Sequence, residues 1–327
     1  MFNFGHVKKQ LFFLFRFMKK KEDRILLRYH LKRVGLKTPS RTRIVYCCNG
    51  EIIHGGLADR LKGIISFYAV ALQCDVEFYI HHTHPFALED YWVPNEHEWR
   101  NDTIRFNPFR DRIISNIVHK YKAGINPVDW IDTKIPRTYF VYSNANYLHA
   151  IFRNNDKVLL FAIWRTYFDR LFKPSILLQK ALDELPKGNY RVCHLRFVGI
   201  LGDFADINPR RLSEEAVVQL FSFLDAKLNE LQEKKSDMPL YVLSDSPRFL
   251  AHVATNKRVR VLPGTPKHVD IQSKENSLDD HLKTFTDFYF IARSQEVIAL
   301  AMPPLYESGF AGICAMQHQV PYTLIKE

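Results

Sequence analysis

Residues 191–203, RVCHLRFVGILGD, place His194 and Arg196 two positions apart at the end of an apolar run, with Asp203 a few residues on. In an extended strand that spacing puts both side chains on one face. A guanidinium offers a planar pair of donors matched to phosphate or carboxylate oxygens. The plainer account, a satisfied histidine beside a surface arginine paired to an acid, stands beside it. Three further segments carry similar material. In NGEIIHGGLADR (49–60) the pair Gly55 and Gly56 precedes a helical pattern, as a tight turn or as a place where a phosphate reaches free N–H groups aided by the helix dipole. In VLSDS (242–246) Asp245 is either a ligand or the N-cap of a helix starting at Pro247. In LAMPPLYESGF (300–310) Ser308 sits before Gly309 at another helix start, as a hydroxyl ligand or as a cap. Together, a guanidinium, a glycine-lined helix start, a hydroxyl and carboxylates suit a nucleoside diphosphate, with arginine on the phosphates and carboxylates on base or ribose donors.

These groups need strands that end where helices begin. The apolar runs RIVYCCNG (43–50), VEFYIHH (76–82) and RTYFVYS (137–143) predict strands, and the spacing of Leu57, Leu61, Ile64, Ile65, Tyr68, Ala69 and Leu72 predicts a helix over 54–73. Residues 83–135 are less regular, with one helix expected at DRIISNIVHKYK (111–122). From about residue 157 the pattern is more even. A helix at 174–185 leads to a strand at 190–198, and then helix and strand alternate through 213–234, 239–245, 246–255, 258–263, 278–294, 296–302, 306–318 and 321–326. Such alternation predicts parallel sheets with helices on both faces. The fold class expected is α/β, with two Rossmann-like domains facing a cleft. The division expected is a basic arm over 1–40, a first domain over 41–156 and a second over 157–327. In open parallel sheets ligands bind at the carboxyl ends of strands, where all four segments fall.

The chain has 327 residues and is 46% hydrophobic, enough for a substantial core. Its net charge is +11, yet residues 8–33 hold ten Lys and Arg against Glu22 and Asp23, a balance of +8. Only +3 remains for the rest, which argues against nucleic acid as a partner, since a phosphate backbone is tracked by a basic face on the folded body. The apolar stretch from Leu11 to Met18 is broken by Arg16 and is far short of the roughly twenty residues of a bilayer span. Lys19, Lys20 and Lys21 stand where a signal peptidase site would need small residues. An interfacial helix on anionic lipid is expected, against a basic solvated arm. The location expected is cytoplasmic, with peripheral contact at the inner face of a membrane. Cys47, Cys48, Cys74, Cys193 and Cys314 show no CxxC spacing and read as free thiols in a reducing compartment. HHTH (81–84) reads as a polar rim after a strand rather than a metal site. No P-loop pattern is present, which disfavours a kinase or ATPase. No DxD motif is present either, so no metal site is expected.

The set HGGLADRLKG, HLRFVG, YVLSDS and FTDFYFIARSQEVIALAMPPLYESGFAGICAM resembles the motif series of the GDP-fucose-dependent fucosyltransferases of the GT-B type, the superfamily of α1,6-fucosyltransferases, nodulation fucosyltransferases and protein O-fucosyltransferases. The resemblance spans about residues 44–327. It implies a GT-B fold and an inverting transfer of fucose from GDP-fucose to a glycan acceptor, with no cofactor beyond that donor substrate. It gives Arg196 the β-phosphate, His194 a place near guanine or ribose, Asp287 the guanine N–H groups, Asp245 a structural or nucleotide contact and Ser308 a phosphate. Gly55, Gly56 and Arg60 would close the site from the first domain. The sequence departs from the series in having Phe197 and Val198 where a second arginine and a nearby aspartate are common, and Tyr306 and Glu307 where a Ser/Thr-rich run is usual. The general base stays open among His54, Asp59 and Asp203, with His54 and Asp203 carried forward as catalytic candidates beside Arg196. Two rivals also stay open: a GT-B transferase using another nucleotide sugar, and a non-catalytic nucleotide- or glycan-binding protein held at a membrane surface.

Overall fold

The structure, a computed structural model, describes residues 21–117, 125–203, 211–267, 269 and 278–327. In chain order the elements begin with α1 (Lys21–Leu31), β1 (Arg43–Cys48), α2 (Leu57–Gln73), β2 (Glu77–His82), β3 (Trp92–Pro94), β4 (Arg112–Asn116), β5 (Thr138–Ser143) and α3 (Leu148–Phe152). They continue with α4 (Lys157–Leu171), β6 (Phe172–Pro174), α5 (Ile176–Asp183), β7 (Arg191–Leu195), α6 (Glu214–Glu233), β8 (Leu240–Ser244), α7 (Pro247–Val253), β9 (Arg260–Val261), α8 (Leu278–Ala292), β10 (Glu296–Leu300), α9 (Gly309–His318) and β11 (Tyr322–Ile325). They fall into two compact units. The first draws on residues up to Gly55 with Asp59–Pro85 and His97–Asn155, the second on Gly56–Ala58, Phe86–Glu96 and Asp156–Glu327.

The first unit is built on a sheet in the order β2-β1-β5-β4, parallel throughout. Every residue of β5 is buried and only Arg43 of β1 is not, as expected of strands covered on both faces. The second unit has the order β9-β8-β7-β10-β11, again all parallel. Counted within the unit this is 3-2-1-4-5, the doubly wound order whose ligand crevice opens where the strand order reverses. That reversal lies between β7 and β10. The expected α/β class, with Rossmann-like units, is therefore what the chain adopts.

Two expectations change, and one helix appears that the sequence reading does not include. Residues 21–36 are not an arm: α1 buries Leu26 and Leu27 at 0% and 3% exposure beside Val45, Cys47 and Phe140. The His30 Nε2 pairs with the Tyr142 hydroxyl at 2.9 Å, and Val34 bridges Phe106. Two buried leucines contribute about 1.5–3 kcal/mol each to holding this stretch on the first unit. The interfacial part of the expectation, residues 1–20, lies outside the described residues. The helix expected over 111–122 is instead a strand where it is described, with Ile113 and Ile114 paired in register to Phe140 and Val141 of β5. Its β-branched pair fits a pleated, half-buried edge, and strand pairing overrides the helical spacing. Finally α4 was not singled out in the sequence. Asp156 caps it by accepting from the N–H groups of Val158 and Leu159, and its Trp164, Phe168 and Leu171 are buried, Phe168 edge-on to Trp92 at 5.2 Å.

Candidate functional site

Strand β7 is buried along its whole length, and its register sets what surrounds its carboxyl end. His194 lies between Leu243 and Ala299, and Leu195 between Ser244 and Leu300. Arg196 follows immediately, half-buried, and its carbonyl accepts from the Tyr306 N–H at 2.9 Å in an isolated antiparallel bridge. Its guanidinium has no hydrogen-bond or ion-pair partner among the described residues. His194 is 7% exposed and its Nδ1 has no partner. Burial, reinforced by the charges of Arg196 and Lys283, lowers its pKa to about 3, so the ring is neutral. Its ring centroid lies 6.0 Å from that of Phe310.

Asp245, one residue past β8, uses both carboxylate oxygens on backbone: Oδ1 accepts from Phe197 N–H at 2.8 Å and Oδ2 from Val198 N–H at 3.0 Å. Burial raises its pKa against these bonds and the charge of Arg196. It is not the cap of α7. Ser246 is, its Oγ accepting from Phe249 N–H at 3.0 Å. Asp203 belongs to the same arrangement, because its Oδ2 accepts from the Ser246 hydroxyl at 2.6 Å and from Arg248 N–H at 2.8 Å. A carboxylate at a helix N-terminus is stabilised by the free N–H groups and the dipole. Its Oδ1 is buried and without a partner.

The other side of the site comes from α9. Ser308, 2% exposed, is its N-cap and accepts from Ala311 N–H at 3.3 Å. The capping bond leaves the first helical N–H groups, at Gly309 and Phe310, without an intrahelical acceptor. Asp287, in α8, is 7% exposed and ion-paired to Lys283 one turn earlier, a side chain equally removed from water. Desolvation raises the Asp287 pKa while Lys283 opposes it. Gly264, at φ +97°, lets the chain pass against this lysine, since a Cβ there would meet its Cδ at 2.9 Å.

In the first unit, His54 is 1% exposed, its Nδ1–H donates to the Ile52 carbonyl at 3.2 Å, and its Nε2 has no partner. Burial, then the charge of Arg60, lowers its pKa to about 4. Gly55 takes φ +83°, with the Asp59 carboxylate where a Cβ would lie, whereas a Cβ on Gly56 would meet nothing within 4 Å. Arg60 is spent internally. It donates to the Gly55 carbonyl at 3.1 Å, to His82 Nε2 at 3.0 Å and to the His84 carbonyl at 2.6 Å. His81 likewise accepts at Nε2 from Arg33 and from the Tyr29 hydroxyl, both at 3.0 Å. The first two histidines of HHTH thus serve as neutral acceptors for arginine and tyrosine. Among the described residues no three His, Cys, Asp or Glu side chains come together as metal ligands.

His194, Arg196, Asp203, Asp245 and Ser308 thus lie at or just beyond the carboxyl ends of β7, β8 and β10, while Asp287 lies within α8, paired to the Lys283 whose charge reaches His194. His54, Gly55 and Arg60 belong to the other unit. Sequence reasoning missed Lys283, for which the i, i+4 spacing to Asp287 was the available signal. It also missed the turn at Val198, a β-branched residue at φ +53° that no pattern announces.

No family model matches the chain, and no curated protein matches it. Among solved structures it is similar to NodZ alpha-1,6-fucosyltransferase soaked with GDP-fucose, with 13% identity over 85% of this chain and 93% of that one and a TM-score of 0.49. It is also similar to fucosyltransferase NodZ from Bradyrhizobium (13% identity, 85% and 93% covered, TM-score 0.47). POFUT1 in complex with GDP-fucose gives 11% identity, 89% and 99% covered, and a TM-score of 0.46.

Proposed function

We propose that the chain is an inverting glycosyltransferase that binds a nucleoside diphosphate sugar at the carboxyl ends of β7 and β10. The observation that carries this reading is the unpaired guanidinium of Arg196, held at the strand reversal of a 3-2-1-4-5 sheet and tied through Tyr306 to the segment that opens α9. A cation and a helix N-terminus attached to one another make a diphosphate site. As the bond from the anomeric carbon to the β-phosphate oxygen breaks, negative charge grows on that phosphate, and Arg196 stabilises it without reorganising. An acceptor hydroxyl attacks the opposite face of the anomeric carbon, which inverts it. Its proton goes to a base for which His54, with a bare Nε2, and Asp203, with a bare Oδ1, are the candidates.

The sequence resemblance names the sugar as fucose, the nucleotide as GDP and the acceptor as a glycan. It gives the donor to the second unit and the acceptor side to the first. Lys8, Lys9, Arg16, Lys19 and Lys20 support a peripheral contact with anionic membrane. No described helix is long and apolar enough to cross one.

A donor-hydrolysis screen across GDP- and UDP-sugars tests this, since slow attack by water identifies the donor without an acceptor. We expect release of GDP from GDP-fucose, unchanged by EDTA, because no acidic DxD pair is present to hold a divalent ion. Binding of GDP without turnover of any donor would favour the non-catalytic reading, and a saturable Mn²⁺ requirement would remove the mechanism.

A further inference from the structure

The turn after Arg196 is strained and held by one carboxylate. Val198 sits at φ +53°, in the left-handed region where a β-branched side chain is an outlier, and Gly199 follows at +80°. The consecutive N–H groups of Phe197 and Val198 both point at Asp245. On the opposite edge Tyr306 N–H fixes the carbonyl of Arg196. The peptide units on the C-terminal side of Arg196 are thus gripped from β8 through Asp245 and from the β10–α9 connection through Tyr306. The guanidinium has no partner of its own among the described residues, and this grip fixes the backbone from which its side chain extends. Strained backbone of this kind persists where the surrounding structure over-determines it and clusters at functional sites.

We propose that Asp245 is a positioning residue for Arg196: its two oxygens hold the strained 197–198 turn, and through that turn they aim the guanidinium at the diphosphate. The proposal rests on the function proposed above and deepens it. Each Asp245 oxygen accepts from a backbone N–H of the turn, so the side chain is engaged by the chain itself. It works only through the residue next to the turn.

Asp245→Asn keeps one acceptor and turns an NH₂ group toward the second N–H, donor against donor. Val198→Gly makes φ +53° available without the Cβ penalty, so the turn persists with a weaker hold. GDP-fucose hydrolysis is measured per folded molecule, alongside GDP binding. Asp245→Asn should lower kcat by about 10- to 100-fold, the scale of a misplaced catalytic group, with KM for the donor little changed. The double variant V198G/D245N should recover much of that loss. The pair D245N/R196K should be no slower than R196K alone, because residues acting in one unit are not additive. Wild-type kcat in Asp245→Asn, multiplying losses in D245N/R196K, or a V198G rescue that restores melting temperature and not kcat would each overturn the proposal. Should Asp245→Asn fail to fold, V198G/D245N carries the test. If Arg196→Lys keeps full turnover, or the wild type neither hydrolyses GDP-fucose nor binds GDP, the proposed function falls and this inference with it. An impaired Arg196→Lys beside an intact Asp245→Asn removes the inference alone.

Discussion

The carbonyl of Arg196 accepts a hydrogen bond from the N–H of Tyr306, 2.9 Å away, although 109 positions of sequence separate them. This bond fastens the end of β7 to the loop that starts α9, and so fixes a cation beside a helix N-terminus.

Arg196→Lys keeps the charge and loses the planar fork. Donor turnover should fall about 10²-fold or more, the scale for removal of a preorganised charge-stabilising donor. GDP affinity should fall less, because the ground-state diphosphate keeps the helix N–H groups. Steady-state kinetics with a GDP titration measure both. Wild-type activity in a stable variant would make Arg196 a surface residue.

Lys283→Met leaves the Asp287 carboxylate buried without its partner. Breaking such a pair costs about 3–5 kcal/mol, while replacing both members can be nearly neutral. Urea denaturation should therefore show a large loss for Lys283→Met and recovery in K283M/D287N. Equal losses in the single and double variants would mean that the pair is not the source.

Leu26→Ala tests whether α1 belongs to the first unit. The side chain is fully buried, so the expected cost is about 2–5 kcal/mol, seen as a lower denaturation midpoint. A neutral result would return this segment to the status of an arm.

Stability should fall with acid in a window set by histidine. Burial above all lowers His30 and His194 to about 3, and His54 and His81 to about 4. Folded-state values below the ordinary 6.5 mean that the unfolded chain takes up protons first. The stability is fully present above about pH 6.5 and is lost as pH falls toward 4, by at most about 1.4 kcal/mol per pH unit for each ring. Asp245 and Asp287, with raised values, pull the other way at the acid end. Melting temperature against pH should decline from 7 to 4 and decline less in His194→Gln. A flat profile between 7 and 5 would contradict the assignment.

The parallel sheets were legible in the sequence because their strands are short, continuous apolar runs, and a covered strand has little alternative to being read as one. His194 and Arg196 were legible as a pair because period two puts them on one face. The role of Asp245 was not, since whether a carboxylate caps a helix, meets a ligand or grips a neighbouring strand depends on register, and Leu195 beside Ser244 decides it. Arg60 misled for a related reason: two of its three acceptors, His82 and the His84 carbonyl, lie on a different segment from its own, and only the Gly55 carbonyl is close in sequence. The segment 111–116 misled because Ile113 and Ile114 suit either period until β5 is alongside.

The central place of β7 also governs how the second unit is made. Its neighbour β8 emerges from the ribosome soon after it, but its other neighbour, in which Ala299 faces His194, is synthesised about a hundred residues later. Until then β7, in the middle of the sheet, presents an unpaired edge. Such non-local parallel pairing closes slowly and leaves a template for association between nascent chains. The order 3-2-1-4-5 that opens a ligand crevice between β7 and β10 therefore makes the same seam one that closes late, after about a hundred further residues have been made.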